Sequence, residues 1–416
     1  MNKLIKIVGF LISLYPLWWF LGIDQFVWLI SLAYILIFAG KIRLLGTTSK
    51  WFLGFIVIHF ISFFFVTESY RILTFLRTFA VYLSAFSLLL IITNKSNSWR
   101  DIEYILKCLT FALTVSCVIG TLSILNIVRP EFQSVIGYLI PSGIKNTMYG
   151  SVVLFKKTGY ESWFIGLGDY FRVKSTFLYP TMYAPILTLF IPLLVFKYVC
   201  EKKKWLIVLI TMCLINLFFT TARVSFLSFL IGFVYFLIFF KMKRDNRYLF
   251  FLFFSFVLLL ILIVYRDVIV EGLRLLLLAR GEGSASSRSL VYYTTLKEFW
   301  ERPVFGWGTE RDVEGLGYPA GSHSHYLGIL YKQGLLGFIT FVGIYISLWF
   351  ETKPSRYLKY YDWRAYNFLC YGRWIILAVL INSFTDVLDL DATTYVIIWI
   401  VFSMLLSVKR IYCARD

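Results

Sequence analysis

The chain has three histidines, and two of them lie close together in Gly321-Ser322-His323-Ser324-His325-Tyr326-Leu327; the third is His59. An imidazole titrates near neutral pH, so a histidine in a polar loop is a candidate proton acceptor. Its plainer alternative is an interfacial side chain bonded to backbone. The arginines tip the balance. Arg223 stands in Thr220-Thr221-Ala222-Arg223, a tight turn between two apolar runs. Arg172 and Lys174 precede Phe177-Leu178-Tyr179-Pro180, Arg288 opens a helical pattern, and Arg71 and Arg77 lie near one end of another apolar run. A guanidinium offers forked donors that match phosphate oxygens. Arginine at membrane depth is costly, so it marks a functional site by default. For Arg71 and Arg77 the competing role is snorkelling to lipid headgroups. Together these residues suggest proton removal beside a held phosphate-bearing ligand. Asp386, Asp389 and Asp391 could form an acid/base or metal site, but such a cluster reads more simply as a solvated turn.

The segment before the histidines has its own pattern. Residues 281–287 (GEGSASS) read as a flexible stretch, and a phosphate cradle is a weak reading because no strand precedes them. Leu290, Tyr293, Leu296 and Trp300 then recur at helical spacing, and Pro303 ends the pattern. This predicts an amphipathic helix lying at the membrane surface, with Arg288 in its first turn. A turn follows in Pro303-Val304-Phe305-Gly306-Trp307-Gly308.

The elements that carry these residues are dictated by composition. The chain is 416 residues, 59% hydrophobic and only 15% charged, against about 25% charged in a soluble domain. A bilayer is its natural solvent. Twelve apolar runs cover residues 4–22, 25–40, 51–67, 71–93, 102–127, 180–197, 205–220, 224–240, 248–265, 334–350, 368–385 and 392–408; each approaches the length needed to cross a membrane. The net charge of +18 is scattered in short clusters between these runs, which argues for topology and against nucleic acid. Lys3 and Lys6, then Lys41, Arg43 and Lys50, then Lys95 and Arg100, then Lys202 to Lys204, then Lys243, Arg244 and Arg247, then Lys353 to Arg364, and finally Lys409, Arg410 and Arg415 make every second connection basic. The positive-inside rule then puts both termini in the cytoplasm. Residues 1–416 read as one transmembrane domain, with a first external loop at 127–179 and a second at 266–333. The aromatics of these loops, such as Trp163, Tyr170 and Trp307, argue against disorder. No repeat emerges. The first run reads as a retained helix, and the six cysteines suggest neither disulfides nor a metal site.

His323-Ser324-His325-Tyr326-Leu327 followed by Gly334-Leu335-Leu336-Gly337 resembles the signature of the O-antigen ligase and O-antigen or capsule polymerase superfamily. The segment from Arg288 through Gly308, the turn at Thr221-Ala222-Arg223 and the stretch from Arg172 to Pro180 are similar to the family's lead-in segments. The resemblance therefore runs from about Arg172 to Gly337. It implies an all-α, GT-C-like polytopic fold. It further implies glycan transfer from an undecaprenyl-diphosphate-linked donor to a glycan acceptor, with no nucleotide sugar, metal or other cofactor. The family's histidine role falls on His323 and its arginine roles on Arg223 and Arg288. One departure is Lys332, where many members carry an acidic residue. His325 is extra, and could share or replace the role of His323.

The resulting expectation is an inverting polysaccharide polymerase on the external face of a bacterial plasma membrane. His323 would be the base. Arg223 and Arg288 would hold the diphosphate, helped by Arg172 and Arg77. His325, Tyr326, Tyr179 and Trp307 would contact the sugars. A ligase transferring glycan to a terminal acceptor is the near alternative, and a flippase or other transporter the distant one. The absence of repeat symmetry and of mid-span ionisable residues speaks against a transporter. A chain-length regulator and a flippase are further expected partners.

Overall fold

The computed structural model describes residues 2–32, 43–145, 148–164, 168–241, 282–313 and 318–413. The chain is a polytopic helical membrane protein. Among the described residues, eight helices are long and apolar enough to cross a membrane, and Lys3–Ser13 (α1) with Tyr15–Leu21 (α2), bent by 52°, make a ninth span if taken as one. The others are Gly46–Ser62 (α3, extended by a 3-10 turn to Phe65), Ser69–Lys95 (α4), Trp99–Ile124 (α5), Pro180–Glu201 (α9), Arg223–Phe236 (α11, running on through a π turn), His325–Glu351 (α13), Trp363–Asn382 (α15) and Ala392–Cys413 (α16). Trp205–Thr220 (α10) and Arg356–Tyr361 (α14) are shorter. The expected run 248–265 and the second half of the run 25–40, residues 33–40, lie outside the described residues.

Helix α16 forms the axis of the bundle: 89% of its spanning window is buried by protein, against 28% for the helix from Arg223. Trp399 packs on Phe52, Phe402 and Tyr395, so aromatic edges fill the seam between α3 and α16. A helix apolar on every face has no need of a polar side once neighbours surround it.

Between α5 and α9 the chain leaves the bundle. Glu131–Gln133 (β1) pairs antiparallel with Phe155–Lys157 (β2), and Gly159–Phe164 (β3) with Gly168–Val173 (β4), Gly159 opposite Val173. Short helices Val135–Leu139 (α6), Ser142–Lys145 (α7) and Met148–Leu154 (α8) lie between the strands of the first pair. The first loop is thus ordered by backbone pairing, which the aromatic content of the sequence only hinted at.

Contacts sort the connections by end. At one end Glu351 accepts from Thr47 and from the amide and hydroxyl of Thr48 (3.3 and 2.8 Å), Arg43 meets Asn94, and Arg410 donates to the carbonyl of Ser96. At the other, Lys156 pairs with Asp24 at 2.6 Å, and Gln25 donates to Asp391 at 2.7 Å. The first end carries basic connections, and the second gathers both long loops. This matches the alternation read from the sequence.

Helix α13 is broken. Gly334 has φ 66° and ψ −165°, leaving two helical arms. Inside a bilayer every freed backbone group needs a partner. The loop 303–308 supplies them: the amides of Trp307 and Gly308 donate to the carbonyls of Tyr331 (2.9 Å) and Lys332 (2.8 Å). In return the amides of Leu335 and Leu336 donate to the carbonyls of Pro303 (2.8 Å) and Val304 (3.3 Å). Gly306, at φ 69°, lies so close that a Cβ there would run into the Tyr331 carbonyl and the Gly334 amide. Gly306→Ala should therefore push the loop off the break and cost at least the about 1–3 kcal/mol typical of overpacking. Thermal unfolding of the purified protein in detergent reads this, and an unchanged midpoint would show that the loop does not hold the break.

Candidate active site

The break sets the direction of the arm that carries His325 and Lys332. Lys332 is 2% exposed and its Nζ lies 2.7 Å from Asp389 Oδ2 and 3.9 Å from Glu310. Asp389 stands on a 3-10 turn, Leu388–Leu390, between α15 and α16. It also accepts a hydrogen bond from the hydroxyl of Tyr82 on α4, and its Oδ1 is 3.5 Å from His325 Nδ1. Burial opposes the charge on Asp389, but Lys332 and His325 outweigh it and hold the carboxyl well below the usual range. Burial pushes the Glu310 carboxyl up, against the pull of Lys332 and Arg77. The sequence suggested a solvated turn; in the structure Asp386, Asp389 and Asp391 are instead all buried. Asp391 accepts from Gln25, the amide of Thr393 and the hydroxyl of Thr394.

Arg71 also differs from its expected role. It is 1% exposed and cannot snorkel. Its guanidinium donates to the carbonyls of Trp307 (2.7 Å), Thr309 (2.8 Å) and Glu310 (3.2 Å), and pairs with Glu68. It fastens the second loop to the start of α4. Arg77, further along α4, acts electrostatically on both Glu310 and Tyr179.

Arg288 and His323 come together through Tyr292. The helix Glu282–Phe299 (α12) begins earlier than its periodicity indicated, so the expected flexible stretch after residue 281 is helical. Leu290, Tyr293, Leu296 and Trp300 are all exposed, while Val291, Thr295 and Phe299 face the protein. An apolar stripe turned away from the protein suits a helix lying on the membrane surface. Tyr292, one turn after Arg288, donates its hydroxyl to the carbonyl of His323 at 3.0 Å. Arg288 and Asp386 both act on the Tyr292 phenol, which burial pushes up. His323 is half-buried, holds a left-handed φ of 65° and packs edge-on against Tyr318, centroids 4.7 Å apart.

Arg172 and Arg223 form a second grouping. The Nε and Nη2 of Arg172 donate to the carbonyl of Thr220 (3.3 and 3.2 Å), at the end of α10, and its guanidinium lies over Tyr160. Thr221 is left-handed, and Arg223 opens α11 exposed to solvent. β4 thus brings Arg172 to the turn of Arg223.

Two expected contacts lie in the interior. His325 is fully buried, edge-on to Phe341 and Tyr395. Trp307 is 6% exposed, its ring flanked by Arg302 (4.1 Å) and Arg311 (4.5 Å) and stacked near Tyr331. Tyr326 stays half-buried, its hydroxyl on the carbonyl of Leu380.

Residues 207–342, roughly a third of the chain, match the family model described as O-antigen ligase. This part of the chain is similar to the O-antigen ligase family. The matched stretch includes Arg223, Arg288, His323, His325, Lys332 and the break at Gly334; Arg71, Arg172 and Asp389 lie outside it. No curated protein matches the chain. That likeness supports an enzyme of glycan assembly in a membrane.

The sequence reading passed over Tyr82, Glu310 and Tyr292, and took Asp389 for part of a solvated turn. One signal was present: a lysine at 332 inside an otherwise apolar arm needs an acid from elsewhere. Removing one partner of a buried pair costs about 3–5 kcal/mol, while replacing both with apolar residues is often neutral. Asp389→Asn should therefore destabilise strongly, and Lys332→Met with Asp389→Leu should recover most of the loss. The pH dependence has a definite sign. Asp389 is held below its unfolded pKa of about 3.9, so its contribution is present above that pH and is lost as pH falls through the folded value. Unfolding midpoints of parent and Asp389→Asn should converge as the buffer is acidified; a gap that stays constant or widens contradicts the pairing.

Proposed function

We propose that the chain polymerises undecaprenyl-diphosphate-linked oligosaccharide repeats on the external face of a bacterial plasma membrane. The observation that carries the reading is the Tyr292–His323 hydrogen bond, which joins the helix of Arg288 to the histidine loop within the segment matched to the O-antigen ligase family. In this reading His323 accepts the proton of an acceptor sugar hydroxyl. The hydroxyl oxygen attacks the anomeric carbon with inversion, the bond from that carbon to the diphosphate breaks, and the diphosphate leaves carrying its charge. Arg288 and Arg223, with Arg172 beside the Arg223 turn, stabilise that charge where it develops. Arg77, whose charge acts on Glu310 and Tyr179, adds a further donor, and Tyr326 a sugar contact. No step calls on a metal or a cofactor.

The external location follows from the alternation of basic connections: the loop-bearing end opposes the end holding Arg43, Lys95 and Arg410. A ligase reading has one observation in its favour, the description of the matched family itself. The two readings differ only in the acceptor. A chain-length regulator and a flippase would act with the enzyme in either case.

His323→Ala should lower transfer by about 10²–10⁴-fold, the usual contribution of a general base. Arg288→Gln should lower it by about 10²–10³-fold, as for loss of one oxyanion donor. The assay is the length distribution of envelope polysaccharide in cells whose membranes hold each variant at the parental level. Full-length polymer made with His323→Ala sinks the proposal. A single repeat still capped onto a terminal acceptor in the parent, with no lipid-linked multimers, favours the ligase.

A further inference from the structure

A cavity of about 270 Å³ lies at the opposite end of the bundle from the candidate active site, where α5, α9 and α15 meet. Lys107, Lys197, Lys203 and Arg364 line it, against only two carboxylates, Glu103 and Glu201. Each carboxylate already has a close partner of its own: Glu103 meets Lys107 at 2.7 Å, and Glu201 meets Lys203 at 3.0 Å. Lys197 is held loosely, its Nζ 3.9 Å from Glu201 and 3.4 Å from the hydroxyl of Thr110. Yet Lys197 is only 6% exposed. A cation sequestered in a membrane-spanning helix is expensive and calls for an anion. The four cations come from three helices and one link, so no single helix accounts for their convergence.

The rest of the lining fixes the kind of anion. Trp99 and Phe196 meet edge-to-face, centroids 6.1 Å apart, and with Leu106 give the cavity an apolar wall. Trp99 is the first residue of its span, Glu201 the last of its span, and Arg364 the second of its helix. The cavity therefore opens at the level where lipid headgroups lie, with cations at the rim and aromatics on the wall. Basic pockets between spans at this level suit anionic headgroups.

We propose that this cavity binds the phosphodiester headgroup of an anionic phospholipid. Lys197 meets the phosphate at depth, and Arg364 and Lys203 meet it at the rim. The headgroup then bridges α5, α9 and α15 from the side away from glycan transfer. The site is independent of the function proposed above.

The test uses the full chain, purified in neutral detergent, with three probes: short-chain phosphatidylglycerol, short-chain phosphatidylcholine and inorganic phosphate. Phosphatidylglycerol should raise the unfolding midpoint in a saturable way, and the other two should not. An equal shift with phosphatidylcholine overturns the proposal. So does an equal shift with inorganic phosphate, which would make the cavity a site for the free anion. Each basic contact near the surface contributes about 1 kcal/mol, roughly fivefold in affinity. Arg364→Gln, at an exposed position, and Lys197→Gln should each weaken phosphatidylglycerol by about that factor. Parental affinity in Arg364→Gln overturns the assignment even if Lys197→Gln fails to fold.

Discussion

The break at Gly334 is the constraint on which the site-bearing end depends. A helix that stops inside a bilayer strands amides and carbonyls that water cannot reach. Here the loop 303–308 makes four backbone hydrogen bonds across the break. The second loop is consequently part of the bundle and not a flap upon it. Arg71 secures the same loop from the other side through three carbonyls. The arm His325–Gln333 is then held at an angle its own sequence would not adopt, and the histidine loop before it is carried along.

That arrangement sends Lys332 inward, and its charge has to be answered. Asp389 answers it from a turn 57 residues later in the chain, and the Tyr82 hydroxyl and His325 complete the surroundings of the carboxylate. A second buried network, Lys156 with Asp24 and Gln25 with Asp391, ties the first loop to the same final turn. The short turn 386–391 is thus the keystone for both long loops. Buried pairs of this kind seldom raise stability above an apolar alternative; their effect here is to fix which loops meet.

The matched segment and the buried framework overlap only in part. Arg223, Arg288 and His323 fall within the segment similar to O-antigen ligase, whereas Arg71, Tyr82 and Asp389 fall outside it. Lys332 lies within the segment while its acid does not. A change of charge at one such position is tolerable when the partner changes on an element far away in sequence.

Much of this was legible in the residues. Hydropathy alone determined a polytopic helical protein, because long continuous apolar runs satisfy their backbone in lipid as helices. The alternation of lysine and arginine sorted the connections by end, and the spacing of Leu290, Tyr293, Leu296 and Trp300 gave the surface helix and its exposed stripe. The motifs at Arg223, Arg288 and His323 lie within the segment matched to the O-antigen ligase family. The sequence could not say that Asp389 is buried against Lys332, that Arg71 is a clamp and not a headgroup contact, or that Trp307 and His325 turn inward. Those outcomes depend on contacts between residues tens to hundreds of positions apart. Local pattern carries only the helix period and the grouping of basic connections; which charge meets which is decided when the broken helix and its loop close together.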